Sequence, residues 1–92
     1  MSQEHRHPIQ PAIVKRLKRA SGHLQNVIEM IDKQRTCGEI AQQLHAVEKA
    51  IAAAKQALIH QHLDSCLDLA LQSQPRATRK AMAEFKDITK YL

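Results

Sequence analysis

Residues 37–71 read CGEIAQQLHAVEKAIAAAKQALIHQHLDSCLDLAL, and this stretch decides the fold. Apolar residues recur along it at spacings of four and three, namely Ile40, Leu44, Val47, Ile51, Ala54 and Leu58. That repeat is typical of a helix packed along one face. Thr36 suits an N-cap, with Glu39 as its capping-box partner. A helix over 37–71 spans roughly 50 Å, which is too long for a compact small monomer. We therefore expect it to form the spine of an oligomer.

A second long helix is predicted from Pro11 to about Gln34. It carries the same heptad repeat, in Val14, Leu17, Ser21, Leu24, Ile28 and Ile31. Pro11 fits the first turn of a helix, where a missing N–H costs nothing. The polar segment 32–38 is short and predicts a helix–helix joint.

A flexible arm is predicted at the N-terminal end of the chain and a short helix at the C-terminal end. Residues 72–75 (QSQP) break the second helix, and 76–92 predict a short amphipathic third helix. Its apolar positions are Ala77, Ala81, Phe85, Ile88 and Leu92. Residues 1–8 are polar and predict a flexible arm. The expected fold is all-α, with a single helical domain over 9–92.

Composition narrows the class of function. The chain has 92 residues, a formal net charge of +5 and a pI of about 9.6, a balance that favours a polyanionic partner, nucleic acid first. It shows no secretory signal and no membrane span, so we expect a cytoplasmic protein without a membrane partner. Thiols stay reduced there, and its two cysteines are expected to be ligands, redox sensors or core residues rather than a disulfide.

A basic block marks the first helix. It consists of Lys15, Arg16, Lys18 and Arg19, and Arg76, Arg79 and Lys80 form another block on the third helix. Such clusters bind phosphates, although a solvated helix face has the same composition. The sequence has no phosphate-binding glycine loop, nucleophile elbow or paired-carboxylate site, so we expect no enzyme.

His62 and Cys66 are the main candidates for a chemical function in this sequence. Their i, i+4 spacing places both on one face of a helix, where they can bind one metal ion together. Cys37 lies 25 residues before His62, roughly 37 Å away on a continuous helix, whereas metal–ligand bonds are about 2.0–2.3 Å. Either Cys37 is unrelated to the pair, or an antiparallel second copy of the chain supplies it.

The chain resembles the CsoR/RcnR (DUF156) family of metal-sensing transcriptional repressors over about residues 5–92. The resemblance rests on VKRLKRASGHLQNVIEMI (14–31), on Cys37, on IAQQLHAVEKAIAAAKQALI (40–59) and on HLDSC (62–66). It implies two long antiparallel helices and a short third helix, assembled as an antiparallel dimer and then a dimer of dimers. It also implies that the metal-free homotetramer binds double-stranded operator DNA. Metal at an inter-subunit site then releases the DNA and derepresses an efflux or resistance gene.

The resemblance also suggests which metal is sensed. Cys37, His62 and Cys66 match the family's copper sensors, but Thr36 replaces their usual Tyr. Those sensors also place a Glu in the third helix, where direct spacing gives Met82 and a small shift gives Glu84. The nickel and cobalt sensors add an N-terminal His, which is His5 here, although His7 could compete with it. The set His5, Cys37, His62 and Cys66 is most similar to the nickel-sensing branch, so Ni(II) is expected first, Cu(I) second, and Co(II) or Zn(II) behind.

Several alternatives stay open. The family includes formaldehyde and persulfide sensors, but Ser2 and the retained His62 count against these. Outside the family, the chain could be a helical interaction scaffold. For DNA, Arg16 matches a family arginine of the first helix, whereas a second family arginine falls at Glu48, next to Lys49. The expected DNA contacts are therefore Lys15, Arg16, Lys18, Arg19 and Lys49.

Overall fold

The computed structural model of the chain describes residues 9–71 and 75–92, without the side chains of 69, 70 and 75–78. Three α-helices run in the order α1 (Pro11–Asp32), α2 (Cys37–Leu71) and α3 (Pro75–Thr89), and these described ranges contain no strand. The predicted all-α fold is confirmed, and α2 has the predicted bounds. The predicted arm over 1–8 and the break at 72–74 lie outside the described residues.

The end of α1 is set by a residue in the left-handed region. Gln34 has φ 57°, and its N–H donates to the carbonyl of Ile31 at 3.0 Å. The N–H of Arg35 donates to the carbonyl of Met30, also at 3.0 Å. These two bonds form a Schellman motif, which satisfies carbonyls at the helix end. α1 therefore stops at Asp32, two residues before the predicted end.

The predicted cap begins α2. The hydroxyl oxygen of Thr36 accepts a hydrogen bond from the backbone N–H of Glu39 at 3.2 Å, which satisfies a donor of the first turn. The carboxylate of Glu39 pairs with Arg35 at 2.6 Å in an exposed ion pair. Exposed pairs contribute about 0–1 kcal/mol, so the cap is the better anchor for this end of the helix.

Residues 10–55 form one compact unit, made of α1 and the first part of α2. Its buried side chains are Ile13, Ala20 and Val27 from α1 and Val47 and Ala54 from α2. The three α1 residues repeat every seven positions and face α2. The nitrogen Nε2 of His23 also donates to Oε1 of Gln43 at 2.7 Å, which links the two helices.

The apolar stripe predicted for α1 lies outside this core. Its large apolar members are exposed, from 39% for Leu24 to 56% for Ile31. The packed residues are Ile13, Ala20 and Val27, each one position before a member of the predicted stripe. Periodicity finds apolar faces but does not tell which of two adjacent faces meets a neighbour in the same chain. The heptad repeat of α1 is therefore present, but its apolar stripe is not the face that is buried within this unit.

Residues 56–92 belong to the second compact unit, made of the last part of α2 and α3. The buried residues of this segment are Ile59 and Cys66 from α2 and Ala81 from α3. Ile59 and Cys66 are again seven residues apart. Within the described ranges, no helix is long and apolar enough to cross a membrane.

Replacing Gln34 with glycine should stabilise the protein. Glycine reaches the left-handed region without the Cβ penalty of about 1–2 kcal/mol, and we expect a net gain of about 1 kcal/mol. Gln25 is an exposed residue inside α1, so Gln25→Gly should instead cost about 1 kcal/mol. Urea unfolding followed by circular dichroism measures both. Equal effects of the two substitutions would contradict the assignment of the helix end.

Candidate metal centre

Three potential metal ligands converge in the second unit. His62 and Cys66 lie one turn apart on α2, as their spacing predicted, and Glu84 approaches from α3. Their ligand atoms, one ring nitrogen, one sulfur and one carboxylate oxygen, all lie within 4.8 Å of one another. Cys66 is 3% exposed, and His62 and Glu84 are half-buried. The site is therefore a partly enclosed N, S, O cluster.

The spacing of this cluster fits a transition metal. Two ligands bound at about 2.0–2.3 Å to one ion lie at most about 4.6 Å apart. The observed spread of 4.8 Å closes to that range with small side-chain movements. Thiolate and imidazole suit Cu, Zn and Ni, whereas Mg²⁺ and Ca²⁺ prefer all-oxygen sites. The donor set thus fits a late transition metal, which His62 and Cys66 would hold through nitrogen and sulfur, with the carboxylate of Glu84 beside them.

Cys66 is held in its thiol form in the metal-free protein. Burial raises the pKa of the Cys66 thiol, and the negative charge of Glu84 raises this pKa further. The thiol also donates to Oε2 of Glu84 at an S···O distance of 4.0 Å. Because a metal binds the thiolate, metal binding at Cys66 must release this proton.

Glu84 was not among the predicted ligands, although the family resemblance reached it with a small shift in spacing from Met82. The structure brings Glu84 to Cys66, while Met82, the residue at direct spacing, is 49% exposed. A signal for Glu84 was present in α3. It follows the buried Ala81 by three residues and precedes the half-buried Ile88 by four, so it lies on the inward face. A carboxylate on an apolar face needs a partner.

Two further ligands were predicted, Cys37 and His5, of which the structure describes Cys37. Cys37 is exposed, begins α2 and belongs to the unit of residues 10–55, so it is not part of the cluster of His62, Cys66 and Glu84. The structure thus brings together two of the four predicted ligands. His5 lies outside the described residues.

The residues predicted to contact DNA are all at the surface. Lys15, Arg16, Lys18 and Arg19 are exposed on α1, and Lys49 is exposed on α2. All five belong to the unit of residues 10–55, whereas the metal-ligand cluster belongs to the other unit. Contact of these residues with DNA stays a prediction.

Known proteins are similar to this chain in both sequence and fold. The chain is 35% identical over 60 residues to the copper-sensing transcriptional repressor CsoR of Mycobacterium ulcerans (strain Agy99), covering 65% of this chain and 51% of that protein. It is 30% identical to CsoR of Mycobacterium tuberculosis (strain ATCC 25618 / H37Rv), over 65% of this chain and 50% of that protein. The matches thus span about half the length of these curated relatives.

A solved structure covers more of the chain. The nickel-responsive transcriptional regulator InrS superposes with a TM-score of 0.79 at 26% identity, over 94% of each chain. The sequence model of the metal-sensitive transcriptional repressor family matches residues 9–91, which is nearly the whole chain. The chain therefore belongs to the metal-sensitive transcriptional repressor (CsoR/RcnR) family, whose members are transcriptional repressors and not enzymes.

Proposed function

We propose that this protein is a cytoplasmic, metal-responsive repressor whose metal-free homotetramer binds operator DNA. Binding of Ni(II), or of Co(II), at an inter-subunit site releases the DNA and derepresses a metal efflux or resistance gene. The observation that carries the proposal is the convergence of His62, Cys66 and Glu84 in a chain of this family. We infer Cu(I) as the second candidate metal, because the curated relatives are copper sensors.

Exposed apolar side chains support an oligomer. Seven large ones in the unit of residues 10–55 are at least 39% exposed, namely Val14, Leu17, Leu24, Ile28, Ile31, Leu44 and Ile51. Their heptad spacing is that of a helix seam, which a second copy of the same helices would fill. Full burial of each adds on the order of 1 kcal/mol, because about half of each side chain is still accessible.

An antiparallel second copy also completes the metal site. Cys37 begins α2, and His62 and Cys66 lie 25 and 29 residues further along the same helix. When two such helices run in opposite directions, the beginning of one meets the end of the other. Cys37 of the second copy would then join His62 and Cys66. A metal bound there contacts two chains and is sensitive to their arrangement.

The number of ligands favours nickel. With His5 the set becomes two imidazoles and two thiolates, a four-donor N/S set that can hold Ni(II) in a square plane. The likeness to nickel-responsive InrS over 94% of the chain supports this choice. Without His5, two thiolates and one imidazole form a softer set that suits Cu(I). We assign Glu84 to orienting Cys66, since a hydrogen-bonded carboxylate fixes the ligand before metal binds.

Metal and DNA act as two coupled ligands. If metal weakens DNA binding by a given factor, DNA must weaken metal binding by the same factor. A hundredfold effect corresponds to about 2.7 kcal/mol. The exposed Lys15, Arg16, Lys18, Arg19 and Lys49 are the proposed DNA contacts, in the unit that also carries the apolar seam. Rearrangement of that seam on metal binding would change the spacing of these cations between copies.

A thiol-sensing function is less well supported by the site. Reactive cysteines are accessible and have a lowered pKa. Cys37 is exposed, but Cys66 is buried and its pKa is raised. A Cys37–Cys66 crosslink would therefore have to form at a poorly reactive thiol. Metal binding meets the same raised pKa, but the metal–thiolate bond offsets the cost of releasing the proton.

Metal should release DNA. We expect Ni(II) to weaken binding by 10- to 100-fold, about 1.4–2.7 kcal/mol, because it contacts two chains and favours one arrangement. Fluorescence anisotropy with a duplex that the metal-free protein selects from a random library measures this. Unchanged affinity with both Ni(II) and Cu(I) would rule out metal sensing.

Variants at His5 and His7 identify the metal within that experiment. If His5 is a ligand, His5→Ala weakens Ni(II) binding by at least about tenfold and leaves Cu(I) binding unchanged. His7→Ala removes a second histidine from the same segment and should change neither. If neither substitution affects Ni(II) binding and Cu(I) releases DNA while Ni(II) does not, copper is the inducer.

Mixed oligomers test the inter-subunit site. Cys37→Ala and Cys66→Ala chains should each lose the metal–thiolate absorption bands as pure proteins. After mixing and reassembly, one intact site forms in each mixed dimer from Cys37 of one chain and Cys66 of the other. About a quarter of the wild-type signal should return for random pairing in dimers. No recovery in verified mixed dimers would place Cys37 outside the site.

Glu84→Gln should lower the pKa of Cys66, because a nearby carboxylate disfavours the thiolate. The pH titration of thiolate ultraviolet absorbance measures it in a Cys37→Ser background. Asp87→Asn removes an exposed carboxylate from the same helix and serves as the matched control. A thiol whose pKa is higher in the folded than in the unfolded state makes the protein less stable as the pH rises. Glu84→Gln lowers the folded-state pKa of Cys66 and should therefore reduce the loss of stability at alkaline pH. Equal titration midpoints in all three proteins would contradict the role given to Glu84.

A further inference from the structure

A cleft in the unit of residues 10–55 is separate from the metal ligands. It is lined by Arg16, Arg19, Ala20 and His23 of α1 and by Ala50 and Ala53 of α2, with a volume of about 210 Å³. One water needs only about 15 Å³, whereas drug-sized ligands occupy about 300–1,000 Å³. The cleft is therefore the size of a small polyatomic ligand.

The lining of the cleft is cationic. Arg16, Arg19 and His23 are spaced i, i+3 and i+7, so one face of α1 presents all three. The six lining residues, all of them described, include no carboxylate to neutralise the two guanidinium groups. Each guanidinium offers a planar fork of N–H donors that matches phosphate oxygens. The expected ligand is thus an oxyanion.

A hydrogen bond holds one side of the cleft in place, and small side chains form its base. His23 is half-buried, and its Nε2 donates to Oε1 of Gln43 at 2.7 Å, which orients the ring. Ala20 is 4% exposed, and Ala50 and Ala53 are half-buried. These alanines leave the space between the helices open. A larger side chain at position 53 would fill the cleft without changing its charge.

We propose that this cleft binds a phosphate group through Arg16 and Arg19, with His23 as its third polar wall. The phosphate belongs either to the DNA backbone or to a free phosphate compound. The first case deepens the proposed function and rests on it. Seated in a cleft, one phosphate would fix the position of the protein along DNA, as phosphate contacts do generally.

Inorganic phosphate tests the cleft without metal or DNA. Nuclear magnetic resonance of the metal-free full chain should show saturable shifts of the His23 ring on phosphate addition. Arg16→Ala and Arg19→Ala should each weaken this binding at least tenfold. Lys15→Ala and Lys18→Ala remove the same charge from exposed positions of α1 outside the cleft and should change it less than twofold. Equal losses in all four variants, or no saturable shift in the wild type, would overturn the proposal.

A filled cleft gives a second test. Ala53→Leu keeps the net charge and should abolish the phosphate shifts, whereas unchanged phosphate binding would overturn the proposal. If circular dichroism shows that this variant has lost helix, the arginine and lysine variants decide, since their side chains are exposed.

Anisotropy with duplex DNA distinguishes the two sources of phosphate. A loss of DNA affinity in the arginine variants that exceeds the loss in the lysine variants identifies a backbone phosphate. Equal DNA affinities alongside weakened phosphate binding identify a free ligand, and either result supports the site. Because phosphate binding is measured without DNA or metal, failure of metal-induced release would refute the proposed function and leave this site standing.

Discussion

The helices carry more apolar surface than a single chain buries, and the rest of the structure depends on this excess. In the unit of residues 10–55, Ile13, Ala20 and Val27 are buried, while Val14, Leu24 and Ile31 stay open to solvent. Two apolar stripes therefore run along α1, and only one is used within the protomer. On our proposal the second stripe joins copies of the chain. Assembly is then a requirement of the hydrophobic effect as well as of regulation.

The excess of apolar surface also bears on the metal site, because the proposed assembly of chains would supply a further ligand. A thiolate and an imidazole on one helix turn, with a carboxylate from the next helix, bind metal weakly without further ligands. A ligand from a second chain would strengthen the site and tie it to the arrangement of the copies. Cys66 contributes by being buried and protonated until metal arrives, with Glu84 holding its thiol. On our proposal, metal binding replaces a proton and a hydrogen bond by bonds that reach across chains.

Much of this was predictable because it depends on local rules. The bounds of α2 follow from the Thr36 cap and the long heptad repeat, and the structure has both as predicted. The His62–Cys66 pair follows from the helical pitch alone. Glu84 was harder to predict, because its distance from Cys66 depends on how α3 packs against α2. Direct spacing pointed to Met82, and only packing distinguishes two residues that lie so close in sequence.

The sequence by itself determined three helices, the i, i+4 ligand pair, a basic α1 and membership of a repressor family. Each of these is a matter of periodicity, capping or residue identity, which are local properties of the chain. Tertiary structure decided which stripe of α1 is buried and that Glu84 meets Cys66. These depend on the rotation and register of one helix against another, which side-chain packing fixes and local sequence does not.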